Sequence, residues 1–336
     1  MKSEVRVVTI MRGLAAFAVA WYHLTNLDFL SGSVIQRIGS FGWLGVESFF
    51  VISGFVIPYS LLAAGYDRSQ FGSFLLRRVV RIDPPYLLSM VFCIVLTYLA
   101  YATPWYSGNA PNYSFGQIAA HLGYANNFFG YPQINRVYWT LGIEFQFYIL
   151  IGLFLPALAK WSWWGIGLIL LTGIAVNAMV VSSSLDPTQL ISHWVPLFLM
   201  GIAVASLRRG LVSRNMLLGQ LGAYAVAGMV VLSIPITLVG LATALLIAFL
   251  PDLSAGLLNW LGRISYSLYL VHVPIGERLM NISHRLTPHA TLGFAIAMAL
   301  TLLAAWGFNQ LIEEPARRWA KRIGRTSEPK AVTVSA

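Results

Sequence analysis

The chain has 336 residues, of which 57% are hydrophobic and only 10% are charged, and its mean hydropathy is +0.70. Soluble domains carry about 25% charged residues, so this composition excludes an ordinary soluble protein and predicts that most of the chain lies in lipid. Cys93 is the only cysteine, which excludes an intramolecular disulfide and a cysteine metal cluster.

Hydropathy and turn residues predict an all-α, polytopic membrane protein with about ten transmembrane helices. The predicted helices cover residues 7–26, 41–63, 84–101, 139–156, 162–182, 190–207, 214–233, 236–250, 257–276 and 290–312. Residues 1–325 are predicted to form a single membrane domain, followed by a disordered cytoplasmic tail over residues 326–336.

The basic residues predict the orientation of these helices. If the N-terminus is cytoplasmic, all but four of the 22 basic residues fall on the cytoplasmic side. The four outside are Arg37, Arg136, Arg278 and Arg285. Such a bias predicts that both termini are cytoplasmic. It also explains the net charge of +10 without a nucleic-acid partner.

The first predicted helix carries Arg12 and His23, eleven positions apart. Eleven residues make about three turns plus 20° and rise about 16 Å, so both side chains leave one face of the helix. Neither residue is tolerated facing lipid. We therefore predict that this face lines a reaction channel; the alternative is that both residues merely bond to neighbouring helices.

The predicted topology places further polar residues at comparable depths. Two carboxylates and two histidines from four helices fall in the outer half of the membrane: His23, Glu47, Glu144 and His272. Intramembrane ionisable groups are costly and indicate function by default. Ser53 is predicted near the middle of the membrane.

Five patterns occur in order along the chain: Arg12-x10-His23, Gly45-Val46-Glu47-Ser48-Phe49-Phe50, Arg77-Arg78-x2-Arg81-x2-Pro84-Pro85-Tyr86, Trp139-x4-Glu144, and Arg263-Ile264-Ser265-Tyr266-Ser267-Leu268-Tyr269-Leu270-Val271-His272 with a later Glu314-Pro315. Together they make the chain resemble the acyltransferase-3 family of integral membrane acyltransferases. The family's signature histidine and arginine correspond to His23 and Arg12. Glu47 departs from the pattern, because many relatives carry aspartate there.

This resemblance implies transfer of an acyl group, usually acetyl, from cytoplasmic acyl-CoA to a hydroxyl of an extracytoplasmic glycan or related acceptor. It further implies a multi-pass protein of the bacterial inner membrane, with acyl-CoA as a co-substrate and no permanently bound cofactor. The expected partners are acyl-CoA, the acceptor and membrane lipid, with no nucleic acid and no metal. The oligomeric state stays open, a homo-oligomer included.

The cytoplasmic end carries a dense basic group that suits a phosphate-bearing donor. We assign donor binding to Arg77, Arg78, Arg81 and Tyr86, because arginine forks match phosphate oxygens. The alternative is that these arginines only set topology or contact lipid headgroups. Asp83 is expected to pair with them.

At the outer end we assign His23 as the base that deprotonates the acceptor hydroxyl, because imidazole titrates near working pH. A covalent acyl-histidine stays open. Glu144 or Glu47 is expected to orient the base or bind acceptor, with Glu144 preferred.

The remaining substrate-binding candidates are Glu47, Ser53, Tyr266, Tyr269 and His272. Ser53 lacks a nucleophile elbow, so helix packing through the Ser53-Gly54 pair is favoured over nucleophilic attack. His272 either lines the acceptor entrance or is a structural histidine. The long outer loop carries aromatic residues and the amides of Asn109, Asn112, Asn126 and Asn127, which suit a sugar or another polar small molecule and equally suit any wet interface.

Two other functions are compatible with buried polar residues in a membrane bundle. A secondary transporter would use them as proton relays, but it predicts inverted repeats that the sequence lacks. A non-catalytic glycan-export partner with the same fold is disfavoured by the intact Arg12, His23 and Glu144.

Overall fold

The structure, a computed structural model, describes residues 5–106, 108–158, 163–181, 186–251, 253, 255–287 and 289–323. Within these ranges the regular structure is helical, without strands. The predicted tail over residues 326–336 lies outside the described residues.

Fifteen α-helices follow one another in the described chain. The first eight are α1 (Arg6–Thr25), α2 (Val34–Gly39), α3 (Gly45–Ala63), α4 (Phe71–Tyr101), α5 (Phe115–Leu122), α6 (Trp139–Leu158), α7 (Trp163–Val181) and α8 (Ile191–Arg208). The others are α9 (Arg214–Val231), α10 (Ile234–Phe249), α11 (Gly256–Arg263), α12 (Ser265–Val271), α13 (Arg278–Leu286), α14 (Ala290–Phe308) and α15 (Glu314–Ala320). Short 3₁₀ turns cover Asp28–Leu30, Gly42–Leu44, Arg68–Gln70 and Pro187–Gln189, and π-helical turns cover His272–Glu277 and Asn309–Glu313.

Among the described residues, six helical segments are long and apolar enough to cross a membrane. They are Arg6–Thr25, Val34–Ala63, Arg68–Tyr101, Trp139–Ala157, Ile191–Arg208 and Ala290–Ala320. The shorter α10 is also apolar. The prediction of a multi-pass, all-helical membrane protein is therefore confirmed.

The helices pack into two hydrophobic clusters that meet along α1, α3 and α6. One cluster centres on α3, α6 and α8, and the other on α1, α4, α12 and α14. Glycines allow the closest helix crossings, as is usual within membranes. A Cβ on Gly54 of α3 would lie 2.3 Å from the carbonyl oxygen of Phe198 on α8, and one on Gly13 of α1 would lie 2.6 Å from the backbone nitrogen of Gly262 on α11.

The helix predicted over residues 84–101 begins much earlier, at Phe71, and passes through Pro84 and Pro85. Prolines usually mark a helix start, because they lack an N–H and clash with the preceding turn. Within a membrane bundle, neighbouring helices can compensate for such breaks. The prolines leave the carbonyls of Val80 and Arg81 without their N–H donors. The hydroxyl of Tyr266 donates to the next carbonyl, that of Ile82, at 3.0 Å, which ties this turn of α4 to α12.

The helix predicted over residues 257–276 is divided instead into α11, α12 and the π-helical turn His272–Glu277. Pro274 lies in that turn and has no N–H for the carbonyl of Leu270, four residues earlier. The side chain of Asn135 donates to this carbonyl at 3.3 Å. The hydroxyl of Tyr66 does the same for Gly152, four residues before Pro156 in α6, at 2.8 Å.

The long segment between α4 and α6 packs against the bundle through some of its residues, while others such as Phe115 and Phe129 stay exposed. His121 of α5 is buried; its Nδ1 bonds to the carbonyl of Gln117 at 2.9 Å, and its Nε2 accepts from the N–H of Ile134 at 3.1 Å. Asn126, a predicted sugar contact, is buried and its amide donates to Asn127. Asn126 therefore contributes to the fold of this segment and is not presented to a sugar.

Candidate active site

A cavity of about 110 Å³ lies between α1, α3, α4, α6 and α12. Its polar lining is Arg12, Ser53, Arg78, Arg81, Thr140, Glu144, Tyr148, Ser265, Tyr266 and Tyr269. Hydrophobic side chains of α3 complete the wall. A concave site with a few convergent polar groups is the expected form of a small-molecule site.

Three arginines give one end of the cavity its charge. Arg78 and Arg81 lie one turn apart on α4, and Arg12 reaches the same space from α1. The guanidinium of Arg78 lies over the rings of Phe74 and Tyr148, at 5.5 Å and 5.4 Å from their centroids. These contacts hold a cation in place without neutralising it.

Glu144 is the carboxylate in this lining, and a hydroxyl group rather than an arginine bonds to it directly. Ser53 donates to Glu144 Oε1 at 2.8 Å, and Tyr148 lines the same cavity. Across the described ranges the ion pairs within 4 Å are Arg136–Glu277, Arg317–Glu314 and Arg318–Glu314. Three arginines against one glutamate therefore leave two positive charges in excess in the lining, without a direct counter-ion.

Residues of α12 form another part of the cavity wall. Tyr266 and Tyr269 line the cavity, and His272 follows three residues later. The hydroxyl of Tyr269 lies 2.8 Å from Oγ1 of Thr140 and 3.1 Å from the carbonyl of Val137, so this ring is fixed against the start of α6.

The two histidines from α1 and from the end of α12 lie beside one another. The rings of His23 and His272 have centroids 5.2 Å apart, and the ring of Tyr269 is 5.8 Å from that of His272. His23 does not line the cavity itself, and Tyr269 and His272 stand between the two. Arg136 and Glu277 form an ion pair, and the charge of Arg136 acts on both histidine rings.

The position of Glu144 corrects one prediction. We expected this carboxylate beside His23 in the outer half of the membrane, but it shares the cavity with Arg12 and the arginines of α4. The expectation assumed that α6 starts at the membrane surface. Tyr138 is instead buried, with its hydroxyl 2.6 Å from Ser89 Oγ, so the start of α6 lies inside the bundle.

Glu47 and Ser53, both on α3, have different surroundings. Glu47 is buried but does not line the cavity, and its Oε2 has no hydrogen-bond partner among the described residues. Ser53 lines the cavity and binds Glu144, while its neighbour Gly54 packs on α8. The predicted Ser53-Gly54 packing role thus falls to the glycine.

Two of the predicted donor-binding residues lie away from the cavity. Arg77 does not line it, and Tyr86 is buried with its ring stacked on Tyr124 and its hydroxyl donating to the carbonyl of His121 at 3.2 Å. Asp83 accepts from the hydroxyl of Tyr124 at 2.8 Å and is in no described ion pair, so its predicted pairing with the arginines is wrong. Positions two apart on a helix do not face each other, which separates Asp83 from Arg81.

Three polar residues of the cavity lining, Thr140, Tyr148 and Ser265, were not predicted as site residues from the sequence, and neither was Glu313. Thr140 and Tyr148 lie four residues before and after Glu144, and this spacing could have placed them on its face of α6. Glu313 directly precedes the Glu314-Pro315 pair of the fifth sequence pattern and is buried in a π-helical turn. Its Oε2 accepts from Ser267 and Asn309, and its charge acts on Arg12.

Comparison with known proteins identifies the family of this fold. A family model described as an acyltransferase domain, that of the acyltransferase-3 family, matches residues 6–309. The acyltransferase MdmB of Streptomyces mycarofaciens is 24% identical over an alignment of 367 positions, gaps included, which covers 93% of this chain and 91% of the relative. No solved structure matches significantly.

Two further relatives match over a shorter stretch. The O-acetyltransferase OatA of Staphylococcus aureus is 36% identical over 161 residues, covering 42% of this chain and 23% of the relative. The peptidoglycan O-acetyltransferase OatA of Listeria monocytogenes is 30% identical over 166 residues, covering 45% of this chain and 24% of the relative. The match thus spans about a quarter of these two relatives.

The family model extends over nearly all of the described helices, including the five that line the cavity. The chain therefore belongs to the acyltransferase-3 family, and it is an enzyme that transfers acyl groups.

Proposed function

We propose that this protein moves an acetyl group from cytoplasmic acyl-CoA to a hydroxyl of an extracytoplasmic glycan, in the bacterial inner membrane. Residues 1–325 act as one membrane domain with both termini cytoplasmic, and about ten membrane crossings include helices shorter than the six long spans. The names of the O-acetyltransferase relatives support the acetyl group, and the name of the Listeria relative supports a glycan acceptor.

The observation that carries this proposal is the group of cavity arginines without a direct counter-ion. Arg12, Arg78 and Arg81 line one space and are in no described ion pair. Unpaired cations inside a membrane bundle are costly, so they require an anionic ligand. Guanidinium groups match phosphate oxygens in geometry and charge, and CoA carries phosphates.

The geometry of α1 supports a transfer path. This helix is continuous from Arg6 to Thr25, so Arg12 and His23 are separated by a rise of about 16 Å. Arg12 lines the cavity with Tyr266 and Tyr269, while His23 packs on His272 at the end of α12. The extended pantetheine arm of the donor would run along α12, with its phosphates near the arginines.

At the outer end, His23 acts as the base. Its Nε2 takes the proton of the acceptor hydroxyl while the hydroxyl oxygen attacks the thioester carbonyl. The carbon–sulfur bond breaks, and the imidazolium returns the proton to the departing thiolate. Glu144 stays at the donor end, where it fixes Ser53 and balances part of the arginine charge.

The donor site is tested by measuring binding of labelled acetyl-CoA to purified protein in detergent. Arg78→Gln and Arg81→Gln are expected to weaken binding about ten- to hundredfold each, because each removes a charge-assisted contact worth about 1.5–3 kcal/mol. Arg68→Gln is the matched control. Its Nε donates to the carbonyl of Leu153 and it does not line the cavity, so binding should stay unchanged.

The acceptor end is tested by transfer of the label to peptidoglycan fragments or other glycans. His23→Ala should abolish transfer while acetyl-CoA binding persists, since the phosphates bind about 16 Å away. If Arg78→Gln and Arg81→Gln bind acetyl-CoA as tightly as the wild-type protein, the donor site is refuted. Full transfer by His23→Ala would refute the catalytic assignment.

A further inference from the structure

His121 and His272 provide an internal comparison between two fully buried histidines. In each, Nδ1 lies within hydrogen-bond distance of the carbonyl four residues earlier, at 2.9 Å for His121 and 3.0 Å for His272. A carbonyl accepts only, so Nδ1 carries the proton in both rings and Nε2 is a lone-pair acceptor.

The two rings differ at Nε2. In His121 this atom accepts from the N–H of Ile134, so the ring is fully satisfied and structural. In His272 it is buried without a hydrogen-bond partner among the described residues. A buried acceptor without a donor costs about 1–3 kcal/mol, so such an atom calls for an explanation.

The complementary group lies on the adjacent ring. His23 Nδ1 is also buried and without a partner in the described structure, and the centroids of the two rings are 5.2 Å apart. The ring torsion of histidine is soft, so rotation of His23 can direct Nδ1 toward Nε2 of His272. A protonated Nδ1 on His23 would satisfy both atoms with one hydrogen bond.

We propose that His272 is the positioning residue for His23: its Nε2 accepts from Nδ1–H of His23 and thereby leaves His23 Nε2 unprotonated toward the acceptor hydroxyl. This inference rests on the proposed function and specifies how its base is prepared. A base is commonly oriented by a third group, which is often a carboxylate. In this enzyme Glu144 lies with the arginines, and a second imidazole takes the orienting role.

The proton balance follows from this arrangement. His23 Nε2 gains the proton of the acceptor hydroxyl and later returns it to the thiolate of CoA, whereas both Nδ1 protons stay in place. The bond to His272 stabilises the transient imidazolium of His23, because a neutral Nε2 lone pair accepts from a charged donor. His272 itself exchanges no proton with substrate.

Substitutions at His272 separate this role from a structural one. His272→Asn keeps an amide donor for the carbonyl of Leu268 but removes the acceptor at Nε2. We expect a loss of thermal stability no larger than that of His121→Asn, unchanged KM for acetyl-CoA and a kcat about 10²-fold lower. His272→Gln, whose amide oxygen reaches the Nε2 position, should recover part of kcat. His121→Asn is the control: it should lower thermal stability and leave kcat per folded protein unchanged.

Wild-type levels of kcat in His272→Asn would overturn the inference, as would a loss of kcat that His272→Gln does not relieve. If His23→Ala is inactive in either case, the proposed function survives without the positioning role. Nitrogen NMR of ¹⁵N-histidine-labelled wild-type protein tests the idea without any variant at His272. Neutral His23 should carry its proton on Nδ1, and a proton on Nε2 would overturn the inference.

Discussion

Substitution Gly54→Ala connects the close crossing of α3 and α8 to the cavity. A Cβ at Gly54 would lie 2.3 Å from the carbonyl oxygen of Phe198 and 3.0 Å from two further backbone atoms of the same residue. Backbone cannot rotate away as a side chain can, so α3 and α8 must separate by about 1 Å to restore ordinary contact. Such overpacking costs about 1–3 kcal/mol of folding stability.

The same displacement reaches the site, because Ser53 precedes Gly54 and donates to Glu144 at 2.8 Å. A shift of about 1 Å would weaken this bond and can reduce the rate of transfer about 10²-fold. Ser53→Ala separates the two effects. It removes the bond without a clash, so transfer should fall while the helix crossing stays intact.

Thermal unfolding in detergent and transfer per folded protein measure these effects. The control is Gly72→Ala on α4, where a Cβ meets nothing within 4 Å and helix propensity favours alanine by about 1 kcal/mol. Gly72→Ala should therefore be neutral or stabilising and fully active. If Gly54→Ala is as stable and active as wild type, the close crossing does not position Ser53.

Three further outcomes are expected. Glu313→Gln removes a buried carboxylate that accepts from Ser267 and Asn309, so the free energy of unfolding should fall by about 1.5–3 kcal/mol. An unchanged melting temperature would contradict this. Tyr269→Phe loses the contact with Thr140 and should cost about 1 kcal/mol, again read from thermal unfolding. Burial lowers the pKa of His121 below its ordinary 6.5, so the unfolded chain binds this proton more readily and stability falls as pH drops below about 6.5. His121→Gln should flatten that loss between pH 7.5 and pH 5.5, and an identical pH dependence in both proteins would refute it.

Hydropathy alone located most of the helices, because their lengths are set by the thickness of the membrane. The first was predicted over residues 7–26 and runs from Arg6 to Thr25, and the predicted helix 139–156 corresponds to Trp139–Leu158. The motifs along these helices also carried the family resemblance, and the family match over residues 6–309 confirms it.

Local rules failed where distant residues alter the backbone. Pro84 and Pro274 both indicate helix boundaries by their own chemistry. The structure continues α4 through the first and forms a π-helical turn at the second. Donors from other segments replace the missing backbone bonds. The donor Asn135 and its acceptor Leu270, for example, are 135 positions apart in sequence.

The sequence by itself determined which polar residues enter the membrane and that Arg12 and His23 share one helix, since both follow from composition and spacing. Only the tertiary structure decided their neighbours. Glu144 lines the same cavity as the arginines and accepts from Ser53, 91 residues away, and the ring of His272 came to lie 5.2 Å from that of His23. The physical reason is that helix depth and rotation are set by packing between helices, here by glycine crossings and a buried start of α6, which no local pattern encodes.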